Sequence, residues 1–105
     1  MACSCRTCPN FITATAVTTA AGVTTITVPA TFQPSARNDY CILLRVSIPK
    51  DSSCNSVSIT NGTTTWSVLE CYGDNWRPCS LKCRSVLKLR FFDDPAHFLI
   101  KRTRH

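Results

Sequence analysis

Alternation of apolar and polar residues is clearest between Tyr40 and Ile48. Every second position from Tyr40 onward is apolar, whereas the intervening positions include Arg45 and Ser47. A period of two places all of these apolar side chains on one face of an extended chain. The pattern therefore predicts a β-strand over residues 40–48 that lies at the centre of the fold and packs one face on a core.

The rest of the chain has the same period-two character, interrupted by turn residues. Ala21 and Gly22 separate two runs rich in Thr and Val, and predict a β-hairpin. Asn61 and Gly62 predict a second hairpin, because this pair readily adopts the two positive φ angles of a tight primed turn. The predicted strands are Ile12 to Thr18, Val23 to Val28, Tyr40 to Ile48, Val57 to Thr60, Thr63 to Leu69, Val86 to Phe92 and, after a turn at Asp93-Asp94-Pro95, His97 to Lys101.

About seven short strands and no convincing helix predict an all-β fold. The expected architecture is a compact antiparallel β-sandwich of jelly-roll type or a small barrel. At 105 residues the chain is long enough for one domain with its own core. We predict a cysteine-rich N-terminal arm at residues 1–10, the β domain at residues 11–102 and a basic tail at residues 103–105.

The net charge of +6 is unevenly distributed along the chain. Up to Trp76 four basic residues balance four acidic ones, but from Arg77 onward eight basic residues accompany only Asp93 and Asp94. A solvated basic face is the simplest interpretation, and an anionic partner such as nucleic acid is the alternative. In that alternative, phosphate contacts without sequence reading would come from basic residues interleaved with Phe91, Phe92 and Phe98. These contact residues are Lys88, Arg90, Lys101, Arg102 and Arg104.

Eight cysteines are many for a chain in which no secretory signal is recognisable. Cys5 and Cys8 have the spacing with which two thiolates bind one zinc ion, and Cys79 with Cys83 could complete a tetrahedral set. The alternatives are intrachain disulfides and disulfides between subunits, and the sequence does not choose among the pairings. The disulfide candidates are Cys3, Cys5, Cys8, Cys41, Cys54, Cys71, Cys79 and Cys83.

Groups suited to catalysis are scarce. His97 and His105 are the only histidines, and no serine lies in the strand–turn–helix context of a nucleophile. His97 with a cysteine would make a nucleophile and base pair in principle, but a histidine beside Phe98 on a strand is more often a packing or surface residue. We therefore expect no catalytic residues, no enzymatic activity and no cofactor other than a possible zinc ion.

Three segments resemble a group of small cysteine-rich proteins of clostridial bacteria and their phages: CRTCPNF near the start, YCILL in the predicted central strand and PCSLKCRS before the basic strand. The resemblance implies a role in virion or surface structure. A cysteine-bearing arm ahead of a Thr- and Val-rich β domain is also similar to endospore appendage subunits. That similarity implies that Cys3, Cys5 and Cys8 form disulfides between stacked subunits.

The sequence thus predicts a non-enzymatic structural subunit that assembles with copies of itself or decorates a larger shell, first of all a phage virion. One alternative is a spore or cell-surface fibre subunit cross-linked by disulfides, and another is a zinc-stabilised nucleic-acid-binding module. We expect synthesis in the cytoplasm without a signal peptide, a final location on a virion or an extracellular or spore surface, and no membrane contact.

Overall fold

Within the described residues, the regular structure consists of eight β-strands and one 3₁₀ turn. The computed structural model describes residues 10–70, 73–79, 81–93 and 95–104. For residues 102–104 it describes the backbone only. The fold is all-β, as predicted. The strands are β1 (Phe11–Thr13), β2 (Ala16–Ala20), β3 (Val23–Thr27), β4 (Asp39–Leu43), β5 (Ser56–Thr60), β6 (Thr65–Leu69), β7 (Val86–Asp93) and β8 (Ala96–Arg104), and the 3₁₀ turn is Lys50–Ser52.

The strands form one curled sheet in the order β1-β4-β7-β8-β6-β5-β3-β2. The two edge strands, β1 and β2, are separated in the chain only by Ala14 and Thr15. At this point the backbone changes neighbours, because the Ala14 amide donates to the Leu43 carbonyl of β4 and the Thr15 amide to the Thr27 carbonyl of β3. One segment of chain therefore joins both edges, and the sheet is barrel-like.

The sheet is mixed, and in this respect the prediction of an antiparallel sheet was wrong. The pairs β1–β4, β3–β5 and β6–β8 are parallel, while the hairpins β2–β3, β5–β6 and β7–β8 and the pair β4–β7 are antiparallel. Parallel neighbours need a long connection. Residues 28–55, which include β4, supply that connection between β3 and β5.

The predicted strand over residues 40–48 is shorter than expected and is not central. β4 ends at Leu43 and lies next to the edge strand β1. Its last backbone bonds are made by Leu44, which donates to the Ser85 carbonyl and accepts from the Arg84 amide. Among the described residues, no backbone hydrogen bond joins residues 45–48 to a neighbouring strand. The predicted apolar face is nevertheless correct, since it contributes buried residues and, with Val46 and Ile48, partly buried ones to the core.

The core is one cluster inside the curled sheet. Phe98 is fully buried at its centre and its ring meets those of Trp66, Phe91 and Tyr40 at centroid distances of 5.7, 5.0 and 6.3 Å. These three contacts are edge-to-face, the arrangement that aromatic quadrupoles favour. The other core residues are Ala14, Val17, Ile26, Val28, Phe32, Ile42, Leu44, Val57, Ile59, Val68, Leu81, Leu87 and Leu89.

The two predicted hairpin turns differ in structure. At Ala21-Gly22 both residues have positive φ, 53° and 77°, and Ala20 pairs with Val23 across a two-residue turn. The prediction of a primed turn at Asn61-Gly62 was wrong, because Thr60 pairs with Thr65 and leaves a four-residue loop. Of the first two loop residues, only Gly62 has a positive φ.

Asn61 has a structural role instead. Its side chain is 3% exposed, its Oδ1 accepts from the amides of Thr63 and Thr64 at 3.0 and 2.8 Å, and its Nδ2 donates to the Phe32 carbonyl at 2.9 Å. These bonds fold the loop and attach it to the segment that follows β3. An asparagine side chain that bonds nearby backbone competes successfully with the tight turn.

The last strand is longer than predicted. Thr103 and Arg104, which the sequence placed in a basic tail, pair with Leu87 and Val86 as the end of β8. The β domain therefore extends to Arg104. Of the predicted N-terminal arm only Asn10 lies within the described residues, and its Nδ2 donates to the Asp39 carbonyl at 2.9 Å.

Candidate functional site

Two contrasting outer surfaces and one cysteine pair are the candidate functional features of the barrel-like sheet. The first surface lies on β4, β7 and β8. The alternation of β7 sends Leu87, Leu89 and Phe91 into the core, which leaves Lys88 and Arg90 on the outside. Register brings Asp39 of β4 beside Arg90. We call Asp39, Lys88, Arg90 and Lys101 the basic face.

A bulge in β8 contributes Lys101 to this face. Lys88 pairs with Arg102 and Leu89 with Ile100, so Lys101 is an extra residue in the register. Such bulges redirect a side chain. The Nζ of Lys101 lies 3.1 Å from Asp39 Oδ2, and Arg90 Nη1 lies 3.4 Å from Asp39 Oδ1. Of the five predicted contact residues, Lys88, Arg90 and Lys101 therefore lie together on the basic face. The backbone of the other two, Arg102 and Arg104, continues strand β8.

Asp39 reduces the positive charge of the basic face without contributing much stability. The side chains of Asp39, Arg90 and Lys101 are 38%, 38% and 45% exposed. Ion pairs at this exposure contribute between nothing and about 1 kcal/mol. The predicted contact with an anion would therefore have to displace or outweigh the Asp39 carboxylate.

The aromatic residues expected to alternate with these cations are mostly in the core. Phe91 and Phe98 are 5% and 0% exposed. Phe92 faces outward and stacks on the His97 ring at 5.4 Å and 19°. His97 Nδ1 lies 2.6 Å from the Pro95 carbonyl, so this nitrogen carries the proton and donates. Of the three predicted base-stacking rings, only Phe92 is placed to meet a partner.

The second surface lies on β2, β3, β5 and β6, and no residue of these four strands is charged. Their inward positions are apolar or, at Thr19 and Thr24, hydroxylated. Register aligns Thr18, Thr25, Ser58 and Ser67 in one row across all four strands. The outward hydroxyl residues, which we call the hydroxyl face, are Thr18, Thr25, Thr27, Ser56, Ser58, Thr60, Thr65 and Ser67.

The hydroxyl face was not predicted as a site. Exposed threonines are common on solvent-facing strands, so their presence alone carried little information. The missed signal was the absence of any lysine, arginine, aspartate or glutamate from four strands that the structure brings side by side. Only the register shows that these residues form one continuous surface.

The cysteines in the described residues fall into two kinds. Cys41 is 2% exposed and disulfide-bonded, whereas Cys54, Cys79 and Cys83 are exposed free thiols. The sulfurs of Cys54 and Cys79 lie 3.6 Å apart. Cys54 raises the pKa of the Cys79 thiol, first through this hydrogen bond and second through its charge.

The predicted zinc site remains a prediction. Cys5 and Cys8, as well as Cys3 and Cys71, lie outside the described residues. Within residues 10–70, 73–79, 81–93 and 95–104 no three side chains of His, Cys, Asp or Glu are grouped to hold a metal. Cys79 was predicted to meet Cys83 at a metal, and its closest described sulfur contact is with Cys54.

A shallow groove lies where the N-terminal arm enters the domain. It has a volume of about 400 Å³, is open to solvent and is lined by Asn10, Phe11, Ile12, Thr31, Phe32, Gln33 and Tyr40. At 42% exposure, Phe11 is the one large apolar side chain that stands out to solvent among the described residues. An open groove of this kind lacks the enclosure typical of a small-molecule site.

In comparisons with family models, curated proteins and solved structures, nothing matches this chain. In the described part of the chain no helix has the length and hydrophobicity needed to cross a membrane.

Proposed function

We propose that this protein is a non-enzymatic structural subunit that assembles with copies of itself, within or on a larger protein shell. The observation that carries the proposal is the uncharged hydroxyl face on β2, β3, β5 and β6. The shell of a phage particle is the setting that the resemblance to clostridial and phage proteins implies.

Electrostatics favours a second copy as the partner of this face. Each chain carries a net charge of +6, so two copies repel one another wherever their basic surfaces meet. The hydroxyl face has no charge to desolvate or repel. Contact between two hydroxyl faces is therefore the approach with the smallest electrostatic cost.

The size of the face indicates a weak, repeated contact. Four strands of five residues cover roughly 17 by 19 Å, or about 300 Å² per subunit. A stable interface buries about 800 Å² on each partner. A contact this small associates free subunits only weakly, at high concentration, and it becomes strong where a shell multiplies it.

The experiment is sedimentation velocity of the full chain at increasing concentration, with the double variant Thr25→Lys/Ser58→Lys. These two residues pair directly across β3 and β5, so the variant places two cations at the centre of the face. Wild type should associate progressively, and the variant should stay monomeric with a folded circular dichroism spectrum. The matched control is Ser47→Lys, at an exposed position outside the face, which should associate like wild type.

Two results would contradict the proposal. One is a wild-type protein that stays monomeric at the highest concentration. The other is a double variant that associates as strongly as wild type while remaining folded.

A second candidate function is contact with an anionic polymer through the basic face. It is favoured by the grouping of Lys88, Arg90 and Lys101 on one surface. Binding to a single-stranded oligonucleotide should weaken steeply with salt, because phosphate contacts release counterions. No binding at low salt would eliminate this candidate. The fibre alternative depends on Cys3, Cys5 and Cys8, and remains a prediction from the sequence.

A further inference from the structure

Cys54 and Cys79 come from distant segments but lie side by side at one end of the barrel-like sheet. Cys54 follows the 3₁₀ turn Lys50–Ser52, and Cys79 lies in the irregular segment between β6 and β7. They are 25 residues apart in the chain, and their sulfurs are 3.6 Å apart. Both thiols are free and exposed, so a small reagent in solvent can reach them.

The proximity of the two thiols is maintained by bonds that do not involve sulfur. The Cys54 amide donates to the Pro78 carbonyl at 2.8 Å, and Ser53 Oγ donates to the Cys79 carbonyl at 2.8 Å. Both hydrogen bonds are donated by the Ser53–Cys54 segment to backbone carbonyls of the Pro78–Cys79 segment, and they hold the two segments together. The sulfurs face each other because their backbones are already fixed.

The Cys54 side of the pair is itself anchored to the sheet. Thr19 Oγ1 of β2 donates to Asp51 Oδ1 at 2.7 Å, and Asn55 Nδ2 donates to the Asp51 carbonyl at 2.8 Å. Cys54 also has a positive φ of 61°, a backbone conformation that glycine or asparagine would adopt with less strain. A cysteine held in such a position is consistent with a use for its thiol.

We propose that Cys54 and Cys79 are a modification site that forms an intrachain disulfide by exchange with a low-molecular-weight disulfide such as oxidised glutathione. The sulfurs need to approach by roughly 1.5 Å to reach bonding distance. The bond would join the 3₁₀ turn to the segment between β6 and β7.

The reaction proceeds by two exchanges. One protein thiolate attacks the small disulfide, forms a mixed disulfide and releases one small thiolate. The second protein thiol, as thiolate, then attacks the mixed disulfide at the protein sulfur, forms the Cys54–Cys79 bond and releases the second small thiolate. The protein loses two electrons and two protons, and the small disulfide is reduced to two thiols. This proposal does not depend on assembly, because both cysteines belong to one chain.

The test uses the full chain as purified, equilibrated in glutathione buffers with an increasing oxidised fraction. Free thiols are alkylated under denaturing conditions without reductant, and the protein is cut after Lys50, Glu70 and Lys82. Peptide 51–70 then contains Cys54 as its only cysteine, and peptide 71–82 contains Cys71 and Cys79. Fragment-ion sequencing of the joined peptides locates the bridge.

We expect wild type to yield peptide 51–70 joined to peptide 71–82 through Cys79. The matched control Cys83→Ser should give the same product, since Cys83 is a third exposed free thiol that the proposal does not use. The variants Cys54→Ser and Cys79→Ser should lose the bridge and carry a glutathione adduct on the remaining cysteine. All three substituted positions are exposed, so folding should be retained.

Several results would overturn the proposal. One is a wild-type protein in which Cys54 and Cys79 end as separate glutathione adducts, and another is a bridge that links Cys54 to Cys71 or Cys83. A third is a soft metal ion bound by both thiols in the intact protein, with no disulfide formed on oxidation. This result would identify the pair as a metal site.

Discussion

The two halves of the barrel-like sheet have similar inner surfaces and opposite outer ones. Inside, β2, β3, β5 and β6 contribute Ile26, Ile59 and Trp66, and β4, β7 and β8 contribute Leu89 and Phe98 to the same core. Outside, the first half has no charge, whereas the second carries the cations of the basic face. The shared inner pattern is what the fold requires, so the outer residues are free to differ and are the place to look for function.

The two halves also differ in how their polar groups act. In the uncharged half, Asn61 is buried and makes three hydrogen bonds to backbone at the end of the β5–β6 hairpin. In the charged half, Asp39 is 38% exposed and makes two ion pairs on the surface. Buried hydrogen bonds are costly to lose and exposed ion pairs are not. Substitution of Asn61 in the uncharged half should therefore lower the stability of the protein more than substitution of Asp39 in the charged half.

The largest effect is expected for Asn61→Ala. The substitution removes all three bonds and leaves the Phe32 carbonyl and the amides of Thr63 and Thr64 without their partner, at a cost of roughly 3 kcal/mol in free energy of unfolding. Urea denaturation should show a lower midpoint with an unchanged slope. The control Thr63→Ala, an exposed position in the same loop, should change stability by less than about 0.5 kcal/mol. A loss below about 1 kcal/mol for Asn61→Ala would contradict this account.

The next effect concerns the basic face. The double variant Arg90→Ser/Lys101→Ser should bind heparin or single-stranded DNA more weakly than wild type. The salt dependence of binding, measured as the slope of log K against log salt concentration, should fall by about 1.5 in magnitude, since two phosphate contacts are lost. Self-association should be unchanged, because neither residue belongs to the hydroxyl face. If the double variant instead loses self-association, the division of roles between the two halves is wrong.

A smaller effect is expected for Asp39→Asn. The substitution removes the carboxylate between Arg90 and Lys101, so the basic face becomes more positive and heparin elution should move to higher salt. The free energy of unfolding should fall by at most about 1 kcal/mol, because all three side chains are more than one-third exposed. A large fall in melting temperature would show that the ion pairs are structural.

The smallest effect on stability is expected for Thr25→Val on the hydroxyl face. Valine has nearly the shape of threonine and a similar preference for strands, so stability should change by less than about 0.5 kcal/mol. Self-association measured by sedimentation should be maintained or increased, because the face stays uncharged and becomes more apolar. Loss of association would show that the hydroxyl groups themselves, and not the absence of charge, make the contact.

Hairpins illustrate how far local sequence predicts this fold. The hairpins β2–β3 and β5–β6 were both located correctly from their turn residues. Ala21-Gly22 adopts the tight turn that was expected of Asn61-Gly62, whereas the Asn61 side chain bonds to the Phe32 carbonyl 29 residues away. The loop at Asn61 thus depends on local bonds from the Thr63 and Thr64 amides and also on a distant partner that no local pattern reveals.

The candidate site was less predictable than the fold. The grouping of Lys88 and Arg90 followed from the period of β7, but the meeting of Lys101 with Asp39 required a bulge in β8. The contact between Cys54 and Cys79 was one pairing among many for eight cysteines. Spacing in the chain favoured Cys79 with Cys83, and a contact across 25 residues has no spacing rule.

The sequence by itself determined which side chains face the core, because the two faces of a strand follow from alternation within a few residues. It also determined the all-β class, the position of each hairpin and the concentration of positive charge in the last third of the chain. Only the tertiary structure decided where β4 ends, which strands run parallel, that four uncharged strands form one surface and which thiols meet. Each of these depends on backbone partners supplied by segments far apart in the chain, and such partners are set by the packing of the whole sheet.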